Sequence, residues 1–339
     1  MAHRTGFRDT HISLAHGNGG RMMRELIAEL FLAALANPLL DSDADAVALP
    51  LPVDQELVVT TDGFTVQPIE FPGGNIGSLA VHGTVNDLAV SGAMPRFMTV
   101  SVILEEGLEV AVLRRVVDAL AVAARDCGVA VVAGDTKVVG RGDCDGIYLS
   151  ATGLGFRPRS VRFALDQVRV GDRILLSGPT GDHGAAVMLA RQEFGMRGAL
   201  ISDAASVLPQ ARALMSIPGL RFMRDPTRGG LATVAHEIAR STGLLVQLSE
   251  ANIPVDTAVQ SVCELLGFDP LYLACEGRIV AVVAPEASDA ALTALRKAAP
   301  KAALIGELKS GLPQVVLETA FGGLRVLDEL EDDPLPRIC

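Results

Sequence analysis

Positive charge is scarce in this sequence. Its 339 residues carry 29 Lys and Arg against 40 Asp and Glu, a net charge of −11. That deficit excludes a nucleic-acid surface, which needs concentrated cations to displace counterions. No apolar run reaches the ~18 residues of a membrane span, because Glu29, Arg114, Arg115 and Asp118 interrupt the longest ones. The opening MAHRTGFRDTHISLAHGNGG lacks the apolar block of an export signal. A soluble, cytoplasmic chain is the expectation. Cys127, Cys144, Cys263, Cys275 and Cys339 are scattered without a CxxC pair, which removes zinc and disulfide-redox motifs and predicts reduced thiols. Also missing are GxxxxGK before Ser or Thr, GxGxxG after a strand, and GxSxG. Walker-type nucleotide binding, a dinucleotide fold and nucleophile-elbow hydrolysis therefore have no support.

What is present is a globular composition, 49% hydrophobic and 20% charged, in a chain long enough for about two domains. β-branched and apolar runs between turn residues predict strands over 56–66, 96–104, 128–139 and 146–156. A helix over 78–92 starts at Ser78, and one over 109–126 gathers Val112, Leu113, Val116, Val117, Leu120 and Ala124 on one face. A second alternation places strands at 173–178, 244–249, 278–284 and 314–319. Its clearest helix runs from Arg228 to Ser241, with Thr227 as N-cap and Gly243 beyond the end. The predicted fold class is mixed α/β (α+β) in two domains. Residues 1–40 form a leading segment, 41–157 and 168–325 the domains, and 326–339 a tail. Pro334 and Pro336 forbid a helix in that tail, so an extended, mobile arm ending at Cys339 is expected.

Carboxylates punctuate the ends of the apolar runs: Asp62 in TTDGF, Asp87 in TVNDLAVSG, Asp135 in VAGDTK and Asp225 in MRDPTRGG, with Asp43 and Asp45 before AVALPL. Hard oxygen ligands at strand ends suit Mg²⁺, which shares a nucleotide's phosphates; single turn-forming or capping aspartates read the same way. Two Gly-rich loops, HGNGG with Gly17, Asn18, Gly19 and Gly20, and FPGGN with Gly73, Gly74 and Asn75, offer amides to phosphate. Lys137 lies two residues after Asp135, on the same face of a strand, where it either neutralises phosphate and moves protons or forms a surface ion pair. Glu276 lies in apolar company that raises a carboxyl pKa toward neutrality, as a proton acceptor or as a structural residue. His183 is read as loop structure or ligand contact, and His236 as solvated. Cys339 is the last residue, either incidental or a thiol carried on an arm between sites; prenylation is excluded, since that signal puts Cys fourth from the end.

LAHGNGG, TTDGFTVQPIEFPGGNIG, TVNDLAVSGAMPR, VAGDTKVV, RDPTRGG and the terminal PRIC together resemble the HypE family of hydrogenase maturation proteins over essentially the whole chain. More broadly the chain is similar to the aminoimidazole ribonucleotide synthetase superfamily, whose members bind ATP without a P-loop and lack the PRIC arm. The resemblance implies a homodimer formed through the N-terminal domains, with ATP and Mg²⁺ nearby. It implies that Cys339 receives a carbamoyl group from the carbamoyltransferase HypF and that ATP drives its dehydration to a thiocyanate. Cyanide then passes to iron on the HypC–HypD complex. On this basis Asp62, Asp87 and Asp135 hold the metal, with Asp43, Asp45 and Asp225 as lesser candidates, and Glu276 and Lys137 take the nitrogen protons. Two other readings compete. A small-molecule ligase or kinase of the same superfamily would tolerate loss of Cys339. A nucleotide-regulated assembly scaffold would show no ATP turnover dependent on carbamoylated protein.

Overall fold

Alternating side-chain character along Gln55–Phe64, Met94–Glu105, Ala130–Val139 and Ile147–Pro158 builds a four-stranded sheet. The computed structural model describes residues 7–41, 44, 46–191, 200–331 and 337–339, so Asp43, Asp45, Pro334 and Pro336 lie outside the described residues. Strand Ile147–Pro158 pairs antiparallel with both Gln55–Phe64 and Met94–Glu105, and Met94–Glu105 runs parallel to Ala130–Val139. A parallel pair needs a crossover. Helix Val110–Cys127 supplies it, burying Leu113, Val116, Val117 and Leu120. Helix Ile76–Val90 packs beside it. Asn75 fixes where that helix begins: its side-chain oxygen accepts the Gly77 and Ser78 amides, and Ser78 Oγ accepts the Asn75 amide. Ser78, expected as the start, is the inner member of this capping box. The opposite face of the sheet is left bare, with Leu57 45%, Val59 55% and Ile103 37% exposed.

The second sheet has seven strands in the order Leu324–Leu327, Val315–Glu318, Leu245–Ser249, Ala303–Lys309, Arg173–Leu176, Val280–Val283 and Leu220–Arg224. All neighbours are antiparallel except Val315–Glu318 beside Leu245–Ser249. Helix Gly230–Thr242 buries Leu231, Val234, Ala235 and Ile238 against one face, and helices Leu208–Met215 and Ser288–Ala298 cover the other. Helix Gly230–Thr242 is preceded by Gly229 at φ 73° with no side-chain cap, so Thr227 does not cap it. Gly243 ends it in the left-handed region, as expected. His236, expected in solvent, is half-buried and donates from Nε2 to the Leu327 carbonyl at 3.0 Å.

One apolar core joins the halves: Ile76, Leu79 and Ala80 pack in the same cluster as Ala185, Val187, Val259 and Leu273. Burial on both sides fixes the cleft between the sheets. Cys144, Cys263 and Cys275 are buried and Cys127 half-buried, all as free thiols. Burial pushes Cys263 up to about 11 and Cys275 up to about 12, so neither ionises near neutrality. Among the described residues no helix is long and apolar enough to cross a membrane.

Candidate active site

Four carboxyl groups converge where the two halves meet. Asp62 stands on strand Gln55–Phe64 and turns toward Asp87 of helix Ile76–Val90, whose Oδ2 accepts Thr60 Oγ1 at 2.6 Å. From the other half, Asp225 follows strand Leu220–Arg224 and Glu276 precedes strand Val280–Val283. Burial raises Asp62 to about 6, reinforced by the charge of Asp87 and a hydrogen bond with it; Arg228 opposes the shift. Burial raises Asp225 to about 7, with Asp87 and Asp62 adding to it. Glu276 is pushed well above the carboxylate range by burial, then by Asp225, Asp203, Asp62 and Asp87. It is 2% exposed, and its Oε1 has no hydrogen-bond partner among the described residues. A side-chain carbon built on Gly83 would lie 3.0 Å from Phe64 and 4.0 Å from Glu276 Oε2. The carboxyl thus faces helix Ile76–Val90 at Gly83, the glycine that Phe64 also approaches.

The chain's own end docks just past the strand that carries Asp62. Cys339 is half-buried, and an oxygen of its terminal carboxyl group accepts the amide of Thr65, the neighbour of Phe64, at 3.2 Å. The Arg337 carbonyl accepts the Gln67 amide at 3.1 Å and Arg191 Nη2 at 2.7 Å. Ile338 is 3% exposed in the core cluster that joins the halves. Arg337 forms an ion pair with Asp145. The arm expected to be loose is therefore docked at its tip, on its own chain. Its beginning is held as well: Leu324–Leu327 is a strand, the Asp328 carbonyl accepts the Tyr272 hydroxyl at 2.6 Å, and Glu329 pairs with Arg240 at 2.8 Å.

Other predicted residues stand elsewhere. Asp135 and Lys137 do share a face, in an ion pair of 2.7 Å that is largely exposed. Register places Asp135 opposite Ser101 on the bare face of the sheet, whereas Asp62 aligns through Ala151 with buried Val100. The two aspartates occupy opposite faces, three strands apart, or about 14 Å across the sheet. Both Gly-rich loops are engaged within the fold. A Cβ on Gly17 would meet the Val138 backbone at 2.7 Å, and Asn18 Oδ1 accepts the Gly20 amide at 3.1 Å. Gly73, at φ 100°, lies against Ile201 and Ser202, and Asn75 is the helix cap. Among the described residues no group of three or more His, Cys, Asp or Glu side chains is placed to hold a metal ion. The pair Asp62 and Asp87 still fits Mg²⁺, which takes one or two carboxylates and completes its shell with water and phosphate.

Sequence reading missed the residues that lock this cleft. Asn86 Nδ2 donates to the carbonyls of Ala205 at 3.0 Å and Glu276 at 3.1 Å, and its Oδ1 accepts the Val207 amide at 2.8 Å. The two oxygens of Asp203 accept the amides of Glu276 and Gly277, each at 3.1 Å. Asn86 sits beside Asp87 in TVNDLAVSG, the one signal available for it. Asp203 has no local signal, because its partners lie 73 and 74 residues away.

The raised carboxyls make stability depend on pH. At about 6 and about 7, Asp62 and Asp225 hold protons that the unfolded chain, with ordinary values of 3.8, has already released. Their contribution is full below about pH 4 and is lost as pH rises through 6 and 7. The ligand-free protein is expected to melt about 5 °C higher at pH 5.5 than at pH 8, with Asp225→Asn removing much of the difference. A melting temperature that rises toward pH 8 would contradict the cluster.

Comparison with known proteins places the chain in a family. The N-terminal domain of the AIR synthase related family matches residues 43–156, and its C-terminal domain matches 169–316. The carbamoyl dehydratase HypE of Bradyrhizobium diazoefficiens is 46% identical over 338 residues, spanning 98% of this chain and 97% of its own. A crystal structure of the hydrogenase maturation protein HypE in complex with ATP superposes with a TM-score of 0.91 at 44% identity, covering 96% of this chain and 99% of that one. A HypE–HypF complex superposes with a TM-score of 0.79 at 39% identity, covering 90% and 99%. With identity at this level along nearly its whole length, and both domains matched, the chain belongs to the HypE family of hydrogenase maturation proteins.

Proposed function

We infer that the chain is an ATP-dependent carbamoyl dehydratase that converts an S-carboxamide on its own Cys339 into a thiocyanate, supplying cyanide for the iron of a nickel–iron hydrogenase. One observation carries this reading. The main chain of the C-terminal cysteine is hydrogen-bonded to the Thr65 amide, next to Phe64, and Phe64 and the buried carboxyl of Glu276 both lie within 4.0 Å of the Cβ position of Gly83. A small-molecule kinase or ligase has no use for such a seat, and a scaffold has no use for a buried carboxyl whose Oε1 lacks a hydrogen-bond partner among the described residues.

The chemistry sets what the residues must do. Turning S–C(=O)NH₂ into S–C≡N removes two protons from nitrogen and expels the oxygen. When bound, ATP supplies the phosphoryl group that makes the oxygen a leaving group, and Mg²⁺ spreads the charge of the phosphates. In this proposal Asp62 and Asp87 hold the cation. Glu276, once neighbouring negative charge is offset and its carboxyl ionises, accepts a nitrogen proton. The ATP-bound relative supports nucleotide binding, with Gly17, Asn18, Gly19, Gly20, Gly73, Gly74, Asp135 and Asp225 retained as proposed contacts. Lys137 stays a proposed catalytic residue, although its ion pair on the bare face keeps it from Glu276 in a single chain. Asp43 and Asp45 remain proposed metal residues outside the described set.

The HypE–HypF complex supports HypF as the partner that loads Cys339; the HypC–HypD complex is the acceptor the family leads one to expect. The division into domains 41–157 and 168–325 is supported by the four-stranded sheet falling in the first and the seven-stranded sheet in the second, with strand Leu324–Leu327 straddling the assigned start of the tail. Homodimerisation through the N-terminal sheet is supported by exposed Leu57, Val59 and Ile103, an apolar stripe on a face left uncovered among the described residues. Val59→Asp is expected to shift the protein toward monomer by at least tenfold in dissociation constant, measured by sedimentation; an unchanged constant would contradict this face. ATP turnover tests the activity. It should require both HypF and a carbamoyl donor, and turnover without them would favour the rival ligase.

A further inference from the structure

His183 opens helix Asp182–Ala190 and is fully buried, with an exposure of 0%. Its Nε2 lies 2.7 Å from the Ile338 carbonyl and its Nδ1 2.7 Å from Ser202 Oγ. A carbonyl oxygen only accepts, so Nε2 carries the proton and donates. Nδ1 must then accept from the Ser202 hydroxyl, whose oxygen in turn accepts the Ala204 amide at 3.0 Å. The bonds run in one direction, from Ala204 through Ser202 and His183 to the residue next to Cys339. Phe71 closes the remaining side of the imidazole edge-on, with ring centres 5.4 Å apart. Burial lowers the imidazole's affinity for a second proton, which keeps this tautomer.

Ser202 ties the arrangement to its surroundings. Its amide donates to the Pro72 carbonyl at 2.8 Å, so the FPGGN loop is fixed to the same residue. Its neighbour Asp203 accepts the amides of Glu276 and Gly277. Adjacent residues thus set the tail on one side and the Glu276 backbone on the other. At the far end of the helix, Arg191 donates to the carbonyls of Gln67 and Arg337 at 2.9 and 2.7 Å. Arg337 holds φ at 57°, a left-handed value that a free Arg rarely adopts.

We propose that His183 is a positioning residue of the dehydration step: through its bond to the Ile338 carbonyl, oriented by Ser202, it holds the tail inward so that the group on Cys339 meets Glu276. The inference rests on Cys339 carrying the reacting group. Its main contacts with the tail are with main-chain carbonyls, so the latch works whatever the sulfur bears.

Three full-length proteins test it by the rate at which N-ethylmaleimide labels Cys339, read as mass on the C-terminal peptide: wild type, His183→Asn and His183→Gln. Gln places its amide nitrogen where Nε2 stands and can donate to Ile338, whereas Asn reaches only the Nδ1 position. Asn is expected to raise the labelling rate roughly tenfold and Gln to stay within about twofold of wild type. Equal rates in all three, or Gln as fast as Asn, would overturn the proposal. If His183→Asn does not fold, Ser202→Ala decides: a several-fold rise is expected, and an unchanged rate overturns it. With HypF, carbamoyl loading of His183→Asn should match wild type while single-turnover dehydration slows by a similar factor; equal slowing of both steps would point to general damage and against positioning. Absence of dehydration in the wild type would defeat the reading of function and leave the labelling pattern standing, so the two failures separate.

Discussion

Glu276→Gln is expected to slow dehydration by about a thousandfold without loosening the fold. The carboxyl is buried, with Oε1 unpaired among the described residues, and burial, then the charges of Asp225, Asp203, Asp62 and Asp87, raise its pKa well above the usual carboxylate range. The neutral form, which burial favours, has nearly the same shape as the amide. The substitution therefore removes no ion pair and leaves no cavity. What it removes is the ability to take a proton, and loss of a positioned general base costs between ~10² and ~10⁴ in rate. Melting at pH 8 should stay level or rise in the variant, because a group that resists ionisation has been replaced by one that cannot ionise. Dehydration within about threefold of wild type would remove Glu276 from the chemistry.

Cys339→Ser is expected to abolish cyanide formation outright while the tail still docks. The tail is seated by main-chain oxygens: Cys339 to Thr65, Ile338 to His183, and Arg337 to Gln67 and Arg191. None of these bonds uses the sulfur, so exchanging it for oxygen keeps the geometry. The chemistry does not survive. A few per cent of an ordinary thiol is thiolate at pH 7 and strongly nucleophilic, whereas a serine hydroxyl with no adjacent base is essentially inert. Protease sensitivity of the last residues should match wild type in the same sample, which separates lost reactivity from lost docking. Cyanide release by the serine variant would return the protein to the class of small-molecule ligases.

The strands that the sequence announced are those with unbroken alternation or apolar runs, such as Gln55–Phe64 and Met94–Glu105. Two of those it hid have identifiable faults: Ala303–Lys309 shifts register between Leu304 and Gly306, and Leu324–Leu327 is an edge strand exposed at all but its last residue. Asp62, Asp87, Asp225 and Glu276 were legible because each ends an apolar run next to turn residues, where site residues concentrate. Their convergence from two halves was not, since it depends on packing between segments more than 130 residues apart in sequence. Asp135 shows the limit in the other direction. It has the same local context as Asp62, yet strand parity turns it to the opposite face. His183 and Ser202 act only through the docked tail, and no spacing rule links them to position 338.

The most direct measurement is the intact mass of the protein after incubation with HypF, carbamoyl phosphate and ATP. The account predicts an adduct of about 43 Da on Cys339 that then falls by about 18 Da as water is lost, the changes carbamoylation and dehydration require. An unmodified Cys339, or a 43 Da adduct that persists when ATP is abundant, would contradict it.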